Sequence, residues 1–196
     1  MPMPKPTGSN KENLERTRAH LLEVAERCFV ENGFAKTSTS QIVKEAKSSR
    51  GSLYHHFSDK KAIFQAVYDK LCQDIATQLS DYPYTSENGV ENLIEGCIAY
   101  LKVFTDQTFA RIILVDGPGV LGMEYCRSKD AETAYKSLYE GVSIFLNNPE
   151  DVELLTDYLS GAMDTFALKI AMAENRQQTF EVNSQAFARY TRNLLR

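Results

Sequence analysis

Residues 36–61 read KTSTSQIVKEAKSSRGSLYHHFSDKK, and this stretch carries the most specific pattern in the chain. Ser38 followed three residues later by Gln41 is a capping-box pattern, which predicts the start of a helix. Ile42 and Ala46 supply apolar positions at helical spacing after that start, so we expect a first helix of about two turns. The first part of the stretch therefore predicts a short, capped helix.

A second short helix is predicted after three polar residues at 47–49. Ser49 suits the N-cap position of a helix from Arg50 to about Phe57. Leu53 and Phe57 lie four residues apart on one face, so the polar side chains between them point elsewhere. Two short helices joined by a tight turn predict a helix-turn-helix. A second helix that exposes Arg, Ser, Tyr and His is typical of a reader of the DNA major groove.

The order of these motifs closely resembles the DNA-binding domain of TetR-type transcriptional repressors. Many members of that family have Gly in the inter-helix turn where this chain has Lys47, a residue that adopts a left-handed backbone less readily. The resemblance implies a homodimeric regulator, and we expect a repressor that binds a palindromic operator. It extends from about Leu14 to Leu71 and rests on Gly33-Phe34, Thr37-Ser38-Thr39, Ile42-Val43, Arg50-Gly51-Ser52-Leu53-Tyr54-His55-His56-Phe57 and Asp59-Lys60.

Ten residues of this stretch are candidate DNA contacts. Lys60 is expected at a helix N-terminus, which itself favours phosphate, and Arg50 is expected to read bases because arginine is the usual bidentate partner of guanine. His55 and His56 do not predict a metal site, because adjacent side chains on a helix point about 100° apart. The resemblance implies contacts from Thr39, Ser48, Ser49, Arg50, Gly51, Ser52, Tyr54, His55, His56 and Lys60, with base readout by Arg50, Ser52 and His55.

Composition predicts an all-helical, TetR-like fold of about nine helices. The apolar fraction of 43% is sufficient for a buried core, glycine and proline are sparse, and apolar residues recur at three-to-four spacing. Residues 1–60 carry ten Lys and Arg against seven Asp and Glu, whereas residues 61–196 carry twelve against nineteen. A mildly basic head on an acidic body suits a protein that presents one end to polyphosphate.

Four segments are predicted along the chain. Three of the six prolines lie near the N-terminus, and Pro83 marks a break after a long apolar-periodic stretch that we expect Ser58 to cap. The predicted segments are a disordered arm (1–11), a helix-turn-helix DNA-binding domain (12–57), a connecting helix (58–80) and a ligand-binding and dimerisation domain (81–196). Helices of the last segment are expected at about 88–105, 109–115, 120–147 with a break near 128, 151–174 and 180–195.

The resemblance also implies a small-molecule cavity and a dimer interface in the last segment. Methionine and aromatic side chains make an adaptable, mostly apolar lining, so we expect a hydrophobic or aromatic effector. The candidate lining residues are Tyr68, Tyr100, Phe104, Met123, Met163 and Phe166. The last two predicted helices carry more apolar surface than one small body needs to cover. The candidate interface residues are Leu155, Leu159, Phe166, Phe187, Tyr190 and Leu194.

Residues 117–122, GPGVLG, match the glycine pattern of a dinucleotide-binding turn. This leaves open a nucleotide-dependent enzyme built on residues 111–145. Pro118 inside the turn and the lack of a second strand–helix unit count against it, and a similar Asp-Gly-Pro occurs in a subgroup of TetR-like regulators. The stretch is better explained as a helix end followed by a helix start, with Pro118 at the first helical position. We therefore expect no enzymatic activity, no cofactor and no metal.

Cysteine spacing bears on a further alternative. The four cysteines, Cys28, Cys72, Cys97 and Cys126, are too far apart in sequence for a Cys-x-x-Cys metal or redox pair. No secretory signal is predicted and no run of eighteen apolar residues occurs, so we expect reduced thiols, a cytoplasmic location and no membrane span. A DNA-binding protein that responds to oxidation of Cys97 or Cys126, and not to a ligand, remains the alternative.

Overall fold

The computed structural model describes residues 10–80, 89–144 and 146–195, and within these ranges the chain forms helices and no strand. The all-helical class predicted from the sequence is confirmed. The chain divides into two compact units, Met1–Val67 and Tyr68–Arg196. Apart from residues 10 and 11, the predicted arm lies outside the described residues, as does the predicted boundary at residue 81. Among the described helices, none is long and apolar enough to cross a membrane.

The N-terminal unit contains three helices and the start of a fourth. These are α1 (Asn10–Lys36), α2 (Thr39–Glu45), α3 (Arg50–His56) and α4 (Lys60–Ser80). Gly33 breaks α1 with a φ of 77° and a ψ of 164°, a backbone conformation that glycine adopts without steric cost. The buried Thr37 hydroxyl is then shared between the Cys28 and Gly33 carbonyls, at 2.9 and 2.8 Å. These bonds fix the path of the chain from α1 into α2.

Side-chain caps fix the starts of α2, α3 and α4. Ser38 and Ser49 each accept the backbone N–H three residues further on, at 3.1 Å, as the sequence predicts. The predicted cap of α4 is wrong, because Asp59 Oδ1 accepts the Ala62 N–H at 2.7 Å and Ser58 lies outside the cap position. A carboxylate is favoured there because the first N–H groups of a helix carry partial positive charge.

Aromatic side chains form the centre of the N-terminal unit. Phe29, Phe34 and Phe64 pack at centroid distances of 5.2 to 5.9 Å, and two of the three pairs meet edge to face. Ile42 of α2 and Leu53 of α3 are completely buried in the same unit. Helices of seven residues do not persist alone in water, so burial against the longer helices holds α2 and α3 in place.

The C-terminal unit comprises the last part of α4 and the remaining helices. These are α5 (Gly89–Val103), α6 (Gln107–Phe109), a π-helical segment (Ala110–Asp116), α7 (Gly117–Leu121), α8 (Met123–Glu132), α9 (Ala134–Ser143), α10 (Pro149–Met172) and α11 (Arg176–Leu194). The predicted break near residue 128 is wrong, because the interruptions fall at Gly122 and Thr133. At Gly122 the backbone has a φ of 93°, which a helix does not allow. At Thr133 the side-chain hydroxyl donates to the Lys129 carbonyl, and this bond competes with the backbone hydrogen bonds that would continue the helix.

The glycine-rich stretch 117–122 is mostly helical, so it is not a dinucleotide-binding turn. The residues before it lie in the π-helical segment and not in a strand, and Pro118 occupies the first turn of α7. The Gly117 N–H donates to the Ile112 carbonyl five residues earlier, which is the π-helical pattern. Arg111 Nε contacts Asp116 Oδ2 at 3.2 Å across the same wide turn. The stretch therefore lacks the strand–turn–helix context that a dinucleotide-binding site requires.

The core of the C-terminal unit lies between α5, α9, α10 and α11. Completely or almost completely buried side chains there include Ile94, Leu101, Val142, Leu159 and Ile170. At one edge Arg192 Nε and Nη2 donate to the two carboxylate oxygens of Glu91, each at 2.7 Å, which ties α11 to α5. Because both side chains are partly exposed, we expect the pair to add modestly to stability.

Gly117 provides a matched test of packing in this unit. A Cβ on Gly117 would lie 2.7 Å from the Tyr68 ring and 2.8 Å from the Ile112 carbonyl oxygen, whereas a Cβ on Gly119 meets nothing within 4 Å. We expect Gly117→Ala to lower the free energy of unfolding by about 1–3 kcal/mol through overpacking. Gly119→Ala should leave it unchanged or raise it by less than about 1 kcal/mol. Urea unfolding of both variants checks this, and equal stability would contradict the tight contact.

Candidate nucleic-acid interface and body cavity

The turn between α2 and α3 closes despite a lysine at its left-handed position. Lys47 has a φ of 50°, the only positive φ of a non-glycine residue in the described ranges. The Ser48 N–H donates to the Val43 carbonyl at 3.0 Å and the Lys47 N–H to the Lys44 carbonyl at 3.1 Å. This pair of bonds is a Schellman motif, which normally has glycine in the left-handed position. The expected turn is therefore formed, at the cost of some strain in Lys47.

The two faces of α3 separate as the sequence predicts. Leu53 and Phe57 are buried, whereas Arg50, Tyr54 and His55 are exposed. Hydrophobic burial of one face therefore determines which side chains of this short helix are available to a partner.

Two polar contacts organise the exposed face of α3 against the start of α2. Arg50 Nη2 donates to Ser40 Oγ at 2.9 Å, and the Tyr54 hydroxyl lies 3.4 Å from Thr39 Oγ1. We call Thr39, Ser40, Arg50, Tyr54 and His55 the helix-turn-helix surface. Ser40 was not predicted, because only the folded turn brings it to Arg50. A guanidinium and several hydroxyls on one exposed surface can donate to phosphates and to base edges.

The other predicted contacts differ in what they can offer. The Ser49 hydroxyl already accepts the Ser52 N–H as the cap of α3, and Gly51 offers only backbone. Ser48 and Ser52 are half-buried at the start of the helix. His56 is half-buried, and burial lowers its pKa with smaller contributions from His55 and Arg18. Its imidazole is therefore neutral at pH 7 and adds no positive charge to the interface.

Lys60 has a structural role that the sequence did not indicate. Its Nζ donates to the Phe34 carbonyl at 2.8 Å and to the Thr37 carbonyl at 2.9 Å, and it lies 4.2 Å from the centroid of the Phe34 ring. An ammonium group has three N–H donors, so two are used to hold the connection between α1 and α2. The phosphate contact expected from the resemblance stays a prediction, limited to the remaining donor.

The C-terminal unit contains a cavity of about 420 Å³, which we call the body cavity. Its walls come from the end of α4 and from α5, α9 and α10, and include Leu79, Leu93, Cys97, Tyr100, Leu138 and Met163. The volume lies in the range that accommodates a small organic ligand. Glu140, Asn92 and Ser137 add polar groups to the wall, which the sequence did not single out.

Only two of the six predicted lining residues, Tyr100 and Met163, border the body cavity. Tyr68 is buried against Gly117, Phe104 is buried edge-on against the Tyr100 ring, and Met123 is exposed after the break at Gly122. Phe166 packs at right angles to Phe187 at 6.0 Å. The assignment of Tyr68, Phe104, Met123 and Phe166 to the cavity is therefore wrong, because their helices turn these side chains towards core or solvent.

The predicted dimer residues fall into two classes. Leu159 and Phe187 are 1% and 2% exposed and belong to the core of the protomer, so their placement in an interface is corrected. Leu155 and Phe166 are half-buried, and Tyr190 and Leu194 are exposed. The exposed apolar side chains of α10 and α11 form what we call the C-terminal apolar stripe: Leu154, Tyr158, Leu168, Met172, Val182, Tyr190 and Leu194.

Family comparisons match both units. The family model described as bacterial regulatory proteins, tetR family, matches residues 21–67, and the model of tetracyclin repressor-like C-terminal domains matches residues 90–194. The chain belongs to the TetR family. The resemblance stated from the helix-turn-helix motif is thereby confirmed, and the second match extends it across the C-terminal unit.

Individual TetR-family relatives differ in how much of the chain they match. The transcriptional repressor AcnR of Corynebacterium efficiens is 31% identical over 180 residues, which cover 85% of this chain and 88% of AcnR. The transcriptional regulator TtgR of Pseudomonas putida is 35% identical over 106 residues, so the chain matches only 46% of its length. A solved TetR-family regulator of Pectobacterium atrosepticum superposes with a TM-score of 0.76 at 27% identity, covering 94% of this chain and 97% of that one.

Lys60 offers a test of its structural role against its neighbour. Lys60→Met removes two hydrogen bonds to the Phe34 and Thr37 carbonyls, and we expect the free energy of unfolding to fall by about 1–3 kcal/mol. Lys61→Met changes an exposed side chain and should alter it by less than about 0.5 kcal/mol. Urea unfolding of both variants tests the structural role of Lys60, which is refuted if Lys60→Met is as stable as the parent.

The salt dependence of DNA binding tests the phosphate contact of Lys60 separately. If Lys60→Met loses one phosphate contact, the slope of log binding constant against log salt concentration should shrink by about 0.9.

Proposed function

We propose that the protein is a homodimeric repressor that binds a palindromic operator and leaves it when a small molecule occupies the body cavity. The observation that carries the proposal is the helix-turn-helix surface, where burial of Leu53 and Phe57 forces Arg50, Tyr54 and His55 outward. Membership of the TetR family supports the same role. A regulator of this type acts where the chromosome is, in the bacterial cytoplasm.

The roles of individual contacts follow from their chemistry. In this proposal Arg50 reads a base edge, and its hydrogen bond to Ser40 orients the guanidinium in the absence of DNA. Thr39 and Tyr54 present paired hydroxyls, which suit phosphate oxygens. Ser48, Ser49, Gly51 and Ser52 bring the start of α3 close to the backbone, with His55 beside the base edge. Lys60 can add one phosphate contact through its remaining N–H donor, and the neutral His56 adds no positive charge.

The C-terminal apolar stripe supports a dimer. On α10, Leu154, Tyr158, Leu168 and Met172 lie on one side of the helix, opposite the buried Leu159. An unpaired apolar surface of this length on a helical unit is typical of a protein interface, and a two-fold pairing would bury the same stripe on both copies. A dimer presents two helix-turn-helix surfaces, which explains why the expected operator is palindromic.

The connecting helix α4 supports ligand control. It begins with Lys60, which holds the α1–α2 connection, and ends with Leu79 and Ser80 in the wall of the body cavity. If α4 has two positions and only one of them suits DNA binding, a ligand that prefers the other position lowers DNA affinity. The size of the change equals the difference in ligand binding free energy between the two positions, commonly about 1–3 kcal/mol. Control by thiol oxidation is less favoured. Cys97 and Cys126 are buried, and burial raises the pKa of the Cys97 thiol to about 12, which suppresses the reactive thiolate.

Arg50 tests the DNA-reading role. An operator is first selected from random DNA by the purified protein, and binding to this operator is then compared with binding to unrelated DNA. We expect Arg50→Ala to weaken operator binding by about 1–3 kcal/mol and to relax the preference at one base pair of each half-site. Arg50→Lys keeps the charge but loses bidentate geometry, so it should also lose specificity. If Arg50→Lys binds the operator like the parent, Arg50 contacts the backbone and not a base.

The dimer is tested on exposed positions, because a charge at the buried Phe187 would unfold the protomer. Tyr158 and Met172 are 62% and 73% exposed, so Tyr158→Glu with Met172→Glu places charges in the proposed interface and leaves the core intact. Sedimentation should show a monomer with unchanged helix content and lost operator binding. The exposed Glu153→Gln on the same helix is the control and should remain dimeric. A dimeric double variant would place the interface elsewhere.

A further inference from the structure

The body cavity has a buried apolar side and an exposed polar side. Six of its wall residues are at most 7% exposed, and their side chains are apolar, aromatic or a thiol: Leu79, Leu93, Cys97, Tyr100, Leu138 and Met163. Glu140 and Ile144 also line the cavity and are exposed, so it opens to solvent beside the end of α9. We expect the apolar part of a ligand on the buried side, where it leaves water for an apolar surface.

A glycine helps to keep the space between α5 and α9 open. Gly141 of α9 lines the cavity, and a Cβ at this position would lie 3.2 Å from Leu93 Cδ1 of α5. That distance is tighter than an ordinary van der Waals contact, so a larger residue at 141 would narrow the gap between the two helices. The shape of the cavity therefore depends on the missing side chain of Gly141.

Charge in the wall is almost absent. In the described wall, Glu140 is the single charged residue; its carboxylate lies 3.9 Å from Lys136 Nζ, and both side chains are 66% exposed. The described wall contains no Lys, Arg or His, and residues 81–88, which join the wall residues Ser80 and Gly89 in the sequence, contain none either. A buried charge is costly unless it is paired. An anionic ligand would therefore lose its hydration without gaining a counter-charge.

Ser137 gives the cavity a hydrogen-bond acceptor. Ser137 is half-buried in the wall, and its hydroxyl donates to the Thr133 carbonyl at 3.3 Å. A hydroxyl has one donor and two acceptor lone pairs. Because the proton of Ser137 is already engaged, the side chain can offer a ligand only its oxygen as an acceptor. The wall therefore favours a ligand that carries an O–H or N–H group.

We infer that the effector of this protein is an uncharged organic molecule, whose apolar body fills the buried side of the body cavity and whose O–H or N–H group donates to Ser137. This inference rests on the proposed function, because it assigns a ligand class to the cavity through which operator release is proposed. It narrows the hydrophobic or aromatic ligand expected from the sequence, since it excludes carboxylates and other anions and requires a donor.

A matched ligand series tests the inference on the full-length protein. The compounds are 4-phenylbutanol, its methyl ether, 4-phenylbutylamine and 4-phenylbutyrate, with affinity measured by calorimetry at neutral pH. We expect the alcohol to bind about threefold to tenfold more tightly than the ether, which has no donor. The amine should bind more weakly than the alcohol, and the carboxylate at least about tenfold more weakly. A carboxylate or amine that binds as tightly as the alcohol, or an alcohol that does not bind, would overturn the inference.

Serine variants assign the donor contact to a residue. Ser137→Ala should weaken binding of the alcohol by about threefold to tenfold and leave binding of the ether within about twofold. Ser143→Ala is the control, because Ser143 lies on the same helix and donates to the Glu140 carbonyl at 2.7 Å, but is exposed and outside the described wall. It should change neither affinity. An unchanged preference for the alcohol over the ether in folded Ser137→Ala refutes the contact.

Glycine variants test whether the ligand occupies the body cavity. Gly141→Leu places a side chain between α5 and α9 and should weaken binding of the alcohol at least about tenfold. Gly119→Leu is the control, because Gly119 is exposed and a Cβ there meets nothing within 4 Å. Urea unfolding shows whether each variant is folded, and the smaller Gly141→Ala replaces Gly141→Leu if the latter does not fold. Full affinity in a folded Gly141 variant refutes binding in the cavity.

Operator binding separates this inference from the proposed function. Release of the parent protein from its selected operator by 4-phenylbutanol, and weaker release of Ser137→Ala, would support both. Release by 4-phenylbutyrate with equal or greater potency would leave the proposed function in place and refute the uncharged ligand. Failure of the parent protein to select any operator would refute the proposed function, whereas the calorimetric comparison would still decide the ligand class.

Discussion

Burial of Leu53 and Phe57 is the constraint on which the DNA-binding unit depends. A helix of seven residues cannot maintain itself, so α3 exists because its apolar face packs on α1 and α2 and because Ser49 caps its start. The same burial fixes the rotation of the helix about its axis. With that rotation set, Arg50 and Tyr54 point away from the core, where their contacts with Ser40 and Thr39 order the polar surface.

Polar contacts then refine what the apolar packing permits. Lys60 satisfies the Phe34 and Thr37 carbonyls at a point where the backbone leaves one helix and enters the next. Each of these carbonyls thereby accepts a charge-assisted hydrogen bond where regular helical hydrogen bonding is interrupted. Lys60, whose charge suggests a phosphate contact, thus uses most of its N–H donors to stabilise the connection between α1 and α2. Charge alone is a poor guide to which lysines face DNA.

The sequence predicted what depends on neighbours in the chain and missed what depends on how helices meet. The caps at Ser38 and Ser49 and the two faces of α3 are local, and each was confirmed. The cavity residues were mostly wrong because Phe104 and Phe166 have the same residue type whether they face a core or a cavity. Neither the π-helical segment nor the contact between Tyr68 and Gly117 can be predicted from the spacing of residues in the sequence.

Asp130 of α8 illustrates how a partly buried carboxylate reduces stability. Asp130 has an ordinary pKa near 3.8 and a raised pKa of about 6 in the folded protein. The carboxyl therefore costs the fold nothing at low pH, where it is protonated in both states. As the pH rises through that interval the folded state is increasingly disfavoured, by an amount on the order of 3 kcal/mol above pH 6. The Tyr135 backbone N–H offsets part of this penalty, because it lowers the pKa of the same carboxyl. Because this hydrogen bond exists only in the folded protein, one backbone N–H of α9 moderates the pH dependence of stability that burial of Asp130 creates.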